Sequence, residues 1–263
     1  MSFKKISVIG AGVMGEALIS ALIKAGHQPE HIEIIEKRTE RVAELIAKYS
    51  IKSGSDLKNS EVLLLVVKPQ DLSQVLQEIN GKFPEDSLVI SFVAGKQIAN
   101  IANSLGGKNP IVRVMPNTPT LIGKGAAGYS FGAGVTEHQK SFVIDLLNAA
   151  GVAVEVSEDL QDAVTATSGS GPAYFYAFVE AMVNGAKELG LSEEVATELS
   201  IQTLIGAAKL LESSGKSPTT LRENVTSPNG TTFAALQSFS ASDLNEIVAK
   251  AMKAARDRSI ELS

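Results

Sequence analysis

Gly10-Ala11-Gly12-Val13-Met14-Gly15 follows the apolar run Ile6-Ser7-Val8-Ile9 and precedes a helix-like stretch from Glu16 to Ala25. Together these read as the strand, glycine turn and helix of a dinucleotide-binding unit. The first glycine permits the tight turn, the second lets the backbone approach a pyrophosphate, and the third lets the helix pack close to the strand. The amides and dipole at the helix N-terminus then face the anion. Because glycines also gather in ordinary turns, the context decides. A second apolar run, Ile32-Glu33-Ile34-Ile35, ends at Glu36, about 20 residues past the third glycine, where a ribose-reading residue belongs.

Two signals meet at that ribose turn. Glu36 accepts hydrogen bonds from a free 2′-hydroxyl in an NAD site, whereas Lys37 and Arg38 neutralise a 2′-phosphate in an NADP site. The adjacent cations favour NADP(H), with NAD as the alternative. Thr39 is the expected N-cap of a helix running to Tyr49.

Composition narrows the class. The 263 residues suffice for one large domain or two modest ones. A net charge of −5 offers no basic face for non-specific binding to nucleic acid or an anionic membrane. There is no cysteine, hence no disulfide framework and no thiol nucleophile, and His27, His31 and His138 are scattered, so no metal site is expected. The longest apolar stretches, such as Val62 to Val67, fall far short of the ~18 residues of a membrane span. The first strand begins within a few residues of Met1, leaving no room for a cleavable signal, so a cytoplasmic location is expected.

The first part of the chain alternates strands with helices. Strands are predicted near Ile6–Gly10, Ile32–Glu36, Val62–Val67, Leu88–Phe92, Ile111–Met115, Ala127–Phe131 and Val152–Val156, and helices at Glu16–Ala25, Thr39–Tyr49, Leu72–Ile79, Ile98–Leu105 and Glu137–Ala149. The runs at Val62 and Leu88 are apolar throughout, as in a sheet covered on both faces. This is the pattern of a doubly wound α/β sheet. After Glu158 the strand signals stop. Asp159–Thr167, Ala173–Leu189, Glu193–Ser213, Thr219–Val225, Thr231–Phe239 and Leu244–Ile260 all read as helix, giving a dinucleotide-binding domain over 1–158 and a helical domain over 159–263. Ala173 to Val179 is too apolar for a helix with one wet face, so it lies in the centre of the helical domain or under a second subunit.

Four further segments are candidates for chemistry. Val67-Lys68-Pro69 ends a strand at the carboxyl edge of the sheet, where Lys68 either meets a phosphate or ribose or is simply solvated. Met115-Pro116-Asn117-Thr118-Pro119 is a stiff polar loop suited to orienting a nicotinamide, or a loop with no further role. Ser168-Gly169-Ser170-Gly171-Pro172-Ala173-Tyr174 leads into the apolar helix, with glycines that permit close approach of a ligand or another backbone. Ser227-Pro228-Asn229-Gly230-Thr231-Thr232 opens another helix, whose free amides suit a carboxylate, with Thr231 as N-cap in the plainer reading.

Taken with Ala94-Gly95 and Glu223-Asn224-Val225-Thr226, these motifs in this order resemble the pyrroline-5-carboxylate reductase family over essentially the full length. The resemblance implies a Rossmann-type domain joined to an all-helical dimerisation domain, assembled as a dimer or larger homo-oligomer. It implies reduction of 1-pyrroline-5-carboxylate to L-proline by NAD(P)H. It places cofactor contacts at Gly10, Ala11, Gly12, Val13, Met14, Lys37, Arg38, Val67, Lys68, Pro69, Ala94 and Asn224. Substrate carboxylate contacts fall on Ser227, Gly230, Thr231 and Thr232, and the Thr232 hydroxyl is the family-matched candidate for helping to protonate nitrogen. Asn229 departs from the family, which usually has a second glycine there; if positive φ is required, asparagine is the best-tolerated substitute. The β-hydroxyacid dehydrogenases share the glycine turn and a helical second domain, but their catalytic lysine and asparagine positions are Phe175 and Val179 here.

Overall fold

A computed structural model of the chain describes residues 3–262. Eight strands form one sheet: β1 Ile6–Ile9, β2 Ile32–Ile35, β3 Lys52–Ser53, β4 Val62–Leu65, β5 Leu88–Ser91, β6 Ile111–Met115, β7 Gly125–Phe131 and β8 Gly151–Glu155, in the order β3-β2-β1-β4-β5-β6-β7-β8. The strands up to β6 run parallel, β7 pairs antiparallel with β6, and β8 runs parallel to β7. Between them lie helices α1 Val13–Lys24, α2 Thr39–Tyr49, α3 Leu72–Ile79, α4 Ile98–Ser104 and α5 Glu137–Ala150.

The period of two along each strand sorts side chains into two cores. On β4, Val62 and Leu64 join α1 and α5 residues such as Leu18, Leu22, Phe142 and Leu147 on one face. Leu63 and Leu65 join Leu72, Leu76 and Ile101 of α3 and α4 on the other. Both faces of the sheet are therefore covered, which is why β4 and β5 carry apolar residues throughout. The one polar residue within β1, Ser7, is buried and exchanges a 2.7 Å hydroxyl bond with Ser60, so neither group is left unsatisfied.

One expected cap and one expected helix start differ in the structure. Thr39 is the first residue of α2 and Arg38 is its N-cap, without a side-chain capping bond. The turn tightens one residue earlier because Glu36 accepts the Arg38 amide at 3.1 Å. The first helix also begins at Val13, three residues ahead of the expected Glu16, with Gly12 as its N-cap. A glycine cap leaves no side-chain signature. The two-residue strand β3 was not anticipated; both its residues are exposed at the sheet edge.

Beyond β8 come α6 Gln161–Val164, a π-helical turn Thr165–Gly169, α7 Gly171–Glu188, α8 Glu193–Ser214, α9 Pro218–Asn224, α10 Thr231–Ala241 and α11 Leu244–Glu261. Contacts divide the chain into one compact unit of 1–172 with 254–263, and a second of 173–253. Residues 159–172 and the end of α11 thus group with the sheet in this division. The reason is an ion cluster around the buried Arg113 guanidinium. Arg113 of β6 pairs with Glu158 at 3.6 Å and Asp162 at 3.3 Å, and Ser259 of α11 donates to Asp162 at 2.7 Å. A buried guanidinium without these carboxylates would be costly, so the three segments stay together.

The second unit has a different character. Among its described residues only Ala196 and Ser200 are buried, while Phe175, Tyr176 and Phe178 of α7 and Leu199 of α8 stand exposed. No helix among the described residues is long and apolar enough to cross a membrane.

Candidate active site

The carboxyl ends of β1, β2, β4, β5 and β6 lie side by side, because these strands are parallel and adjacent. The chain leaves β1 toward β2 and β3 on one side, then crosses to β4 on the other. Ligands bind at such a reversal, at the carboxyl edge. The glycine turn sits over it.

Each glycine of that turn has a distinct environment. Gly10 takes φ +90°, and a Cβ there would stand 2.6 Å from the Val66 carbonyl oxygen and 3.0 Å from Val67. At Gly15 a Cβ would meet the Gly10 carbonyl oxygen at 2.4 Å. At Gly12 it would meet nothing within 4 Å. Gly10 and Gly15 are thus required by backbone packing, whereas the space over Gly12 is open. Gly12, the N-cap of α1, makes no side-chain capping bond, and Val13 beside it is exposed. A concave backbone with helix-start amides and room above it fits a dinucleotide pyrophosphate.

At the ribose turn the Glu36 carboxylate accepts the Ala11 amide at 3.0 Å and the Arg38 guanidinium at 3.0 and 3.2 Å. The Arg38 bonds lead in drawing its pKa from 4.5 to about 2. Glu36 is therefore a fixed anion that ties the ribose turn to the glycine turn. Lys37 and Arg38 stand exposed beside it.

Sequence reasoning missed Arg41. Its Nε donates to the Ala11 carbonyl at 3.0 Å, and Nη2 reaches the Gly12 carbonyl at 3.5 Å and the Glu16 carboxylate. Nη1 pairs with Glu44 at 2.8 Å. Glu16 also accepts from Lys48 at 2.8 Å and from the Tyr49 hydroxyl at 3.1 Å, and these cationic and hydroxyl donors bring its pKa to about 2. Nothing local marks Arg41, since an arginine on an amphipathic helix is ordinary.

The remaining expected contacts of this unit fall along the same edge. Val67 abuts Gly10; Lys68, exposed, precedes a short turn whose first residue is Pro69, and its carbonyl accepts from Asp71 at 3.0 Å. Ala94 follows β5 and is half-buried beside Gly95, whose φ of +73° and close neighbours Ser259 and Leu262 leave no room for a side chain. The Asn117 amide is engaged at both ends: it donates to the Ser168 carbonyl at 3.1 Å and accepts the Ala126 amide at 2.9 Å. It fastens the loop after β6 to the π-helical turn, and Gly169 permits this approach because Met115 lies 2.4 Å from where its Cβ would be.

The other expected residues belong to the second unit. Asn224 ends α9, and Ser227, Gly230, Thr231 and Thr232 form the turn into α10. Asn229 adopts φ 58°, the left-handed conformation asparagine tolerates. Thr231 is not the N-cap; Gly230 is, with φ −80° and ψ 178° and no side-chain bond. The left-handed Asn229 brings the Gly230 amide back to the Ser227 carbonyl at 3.0 Å, and a Cβ on Gly230 would strike the Ser227 hydroxyl at 2.3 Å. The helix consequently starts one residue before a threonine could cap it, leaving its first amides without a side-chain cap, next to two threonine hydroxyls. Among the described residues no cluster of three or more His, Asp or Glu side chains is placed to hold a metal ion.

The profile described as "Pyrroline-5-carboxylate reductase dimerisation" matches residues 158–262, and "NADP oxidoreductase coenzyme F420-dependent" matches residues 5–95. Pyrroline-5-carboxylate reductase of Pseudomonas aeruginosa is 39% identical over 268 residues, covering 100% of this chain and 98% of the relative. Pyrroline-5-carboxylate reductase 1 of Bacillus spizizenii is 38% identical, covering 99% of this chain and 90% of the relative. Among solved structures, a pyrroline-5-carboxylate reductase from Coxiella burnetii superposes with TM-score 0.91 at 34% identity, covering 100% of this chain and 99% of that one. The Plasmodium falciparum pyrroline carboxylate reductase solved with NADP bound gives 0.87 at 29% identity, covering 100% and 99%. With an open cradle over Gly12, a glycine-capped α10 and full-length identity well above that of a shared fold alone, this chain belongs to the pyrroline-5-carboxylate reductase family.

Proposed function

We propose that the protein reduces the C5=N bond of 1-pyrroline-5-carboxylate to L-proline with NADPH, as the last step of proline synthesis. The carrying observation is that one chain holds both a nucleotide cradle, open over Gly12, and a helix start capped by Gly230 and bearing Thr231 and Thr232. The first suits a pyrophosphate and the second a small carboxylate that needs no arginine. When bound, the reduced nicotinamide supplies a hydride to C5, and the ring nitrogen must gain a proton.

The chain's own groups then divide the work. The α1 amides of the Gly10 to Met14 turn hold the pyrophosphate, Lys37 and Arg38 the 2′-phosphate, and Val67, Lys68, Pro69, Ala94 and Asn224 line the rest of the nucleotide. Arg38 supports the choice of NADPH: its guanidinium is exposed and parked on Glu36, from which it can turn to a more highly charged phosphate. Ser227, Gly230 and Thr231 take the substrate carboxylate. The Thr232 hydroxyl, too weak an acid to titrate near neutrality, donates a hydrogen bond at the ring nitrogen or relays a proton to it.

The working form is a homo-oligomer, at least a dimer, built on the helical region from 159 onward. Helices that bury only Ala196 and Ser200 among the described residues of 173–253 cannot offset the entropy of their own ordering, and a second copy supplies the missing cover. The test is direct. Purified protein, mixed with NADPH and the cyclic imine, should bleach the nicotinamide absorbance with equivalent proline formed. Nucleotide binding without proline at micromolar enzyme would instead indicate a non-catalytic nucleotide sensor.

A further inference from the structure

The glycine turn is held from behind by a residue of the next helix. A trans peptide points its N–H and C=O in opposite directions. The Ala11 carbonyl shares its peptide with the Gly12 amide, and the Gly12 carbonyl shares its peptide with the Val13 amide. Arg41 addresses both carbonyls: its Nε is the donor to Ala11 at 3.0 Å, and its Nη2 lies 3.5 Å from the Gly12 carbonyl, which also accepts the Glu16 amide at 3.0 Å as the first bond of α1. Its side chain is 15% exposed, and Glu16 and Glu44 fix the guanidinium plane from two further sides. On its other flank the Ala11 amide is pinned by Glu36 at 3.0 Å. The Ala11 backbone is therefore held at its N–H and at its C=O by two side chains from β2–α2, and the Gly12 and Val13 amides, each in a trans peptide with a carbonyl that Arg41 addresses, point away from the Arg41 side.

We propose that Arg41 is a positioning residue for the dinucleotide: it fixes the glycine-turn carbonyls so that the Gly12 and Val13 amides are preorganised for the pyrophosphate, without itself touching the nucleotide. A cation on a carbonyl also polarises its peptide, which strengthens the N–H at the other end. Arg41 and Lys48 meanwhile neutralise Glu16, an anion in the first turn of α1 that would otherwise oppose a phosphate. The proposal rests on the glycine turn being the nucleotide site, and it makes a claim that site alone does not: because the pyrophosphate is common to both cofactors, loss of Arg41 penalises NADPH and NADH alike.

The experiment titrates the full-length wild type, Arg41→Met and Arg41→Lys with NADPH and NADH, with thermal melts and amide hydrogen exchange on the nucleotide-free proteins. Arg41→Met should weaken both nucleotides at least tenfold by similar factors, speed exchange at residues 10–14, and leave kcat at saturating cofactor near wild type. Arg41→Lys, which keeps the charge but not the fork, should fall between and decides the matter if Arg41→Met fails to fold. A loss confined to NADPH would make Arg41 a 2′-phosphate ligand and overturn the proposal. Unchanged binding in a protein of lower melting temperature would also overturn it, leaving Arg41 a structural brace. Failure of the wild type to bind either nucleotide would instead refute the nucleotide site itself.

Discussion

Gly12→Ala separates ligand binding from folding. The Gly12 backbone, at φ −67° and ψ −161°, is accessible to an L-residue, and the added Cβ meets nothing within 4 Å. Alanine restricts the unfolded chain, a gain of about 0.4–1 kcal/mol, while it is a poorer N-cap than glycine by a similar amount. Net stability should stay within about 1 kcal/mol of wild type, so Tm should move by no more than about 4 °C. Bound nucleotide is another matter, because the methyl group occupies the space a pyrophosphate must enter. Losing two charge-assisted bonds at the low end of their range, about 1.5 kcal/mol each, amounts to about 3 kcal/mol, or roughly a hundredfold in Kd. The assay is a pair of melts with and without NADPH plus a fluorescence titration. Wild type at 100-fold its Kd gains about 2.7 kcal/mol from the ligand, and the variant at the same concentration should lose most of it. Gly15→Ala is the control: its Cβ would lie 2.4 Å from the Gly10 carbonyl oxygen, so its apo-protein stability should fall by roughly 1–3 kcal/mol or more. Wild-type NADPH affinity in a folded Gly12→Ala protein would refute the reasoning, since the space over Gly12 would then not be where the pyrophosphate lies.

Replacing both Lys37 and Arg38 by alanine should weaken NADPH roughly ten- to hundredfold and NADH much less, and equal effects in competitive titrations would show that these cations do not set preference. Thr232→Ala should lower kcat ~10²–10⁴-fold with KM for the imine nearly unchanged, and Thr232→Ser should recover most of the rate; an unaltered kcat would assign the proton to water. Glu16 and Glu36 are both drawn from 4.5 to about 2, so the stability they contribute is full above pH 4.5 and is lost as pH falls toward 2. Urea unfolding of Glu16→Gln should accordingly show a flatter loss over that window, and a slope equal to wild type would remove Glu16 from the acid transition. Phe178, 44% exposed on α7, lies on the face assigned to a second copy, and Phe178→Glu should shift sedimentation toward monomer or lower Tm. A fully active monomer would rule that interface out.

By itself the sequence determined what depends on neighbours along the chain. Apolar runs at Val62 and Leu88 marked strands covered on both faces, the spacing of Gly10, Gly12 and Gly15 marked the turn, and Asn229 stood where a left-handed residue was needed. These follow from periodicity and from which residues can take positive φ. Tertiary structure alone decided the contacts between groups far apart in sequence. Arg41 finds the Ala11 carbonyl 30 residues away, and Ser259 finds Asp162 97 residues away, holding the end of α11 with the sheet unit. The caps of α2 and α10 moved off Thr39 and Thr231 because the Glu36 carboxylate and the Asn229 turn claimed the preceding backbone first. A threonine before an apolar run announces that a helix begins, but only the turn ahead of it fixes the residue at which the backbone becomes helical.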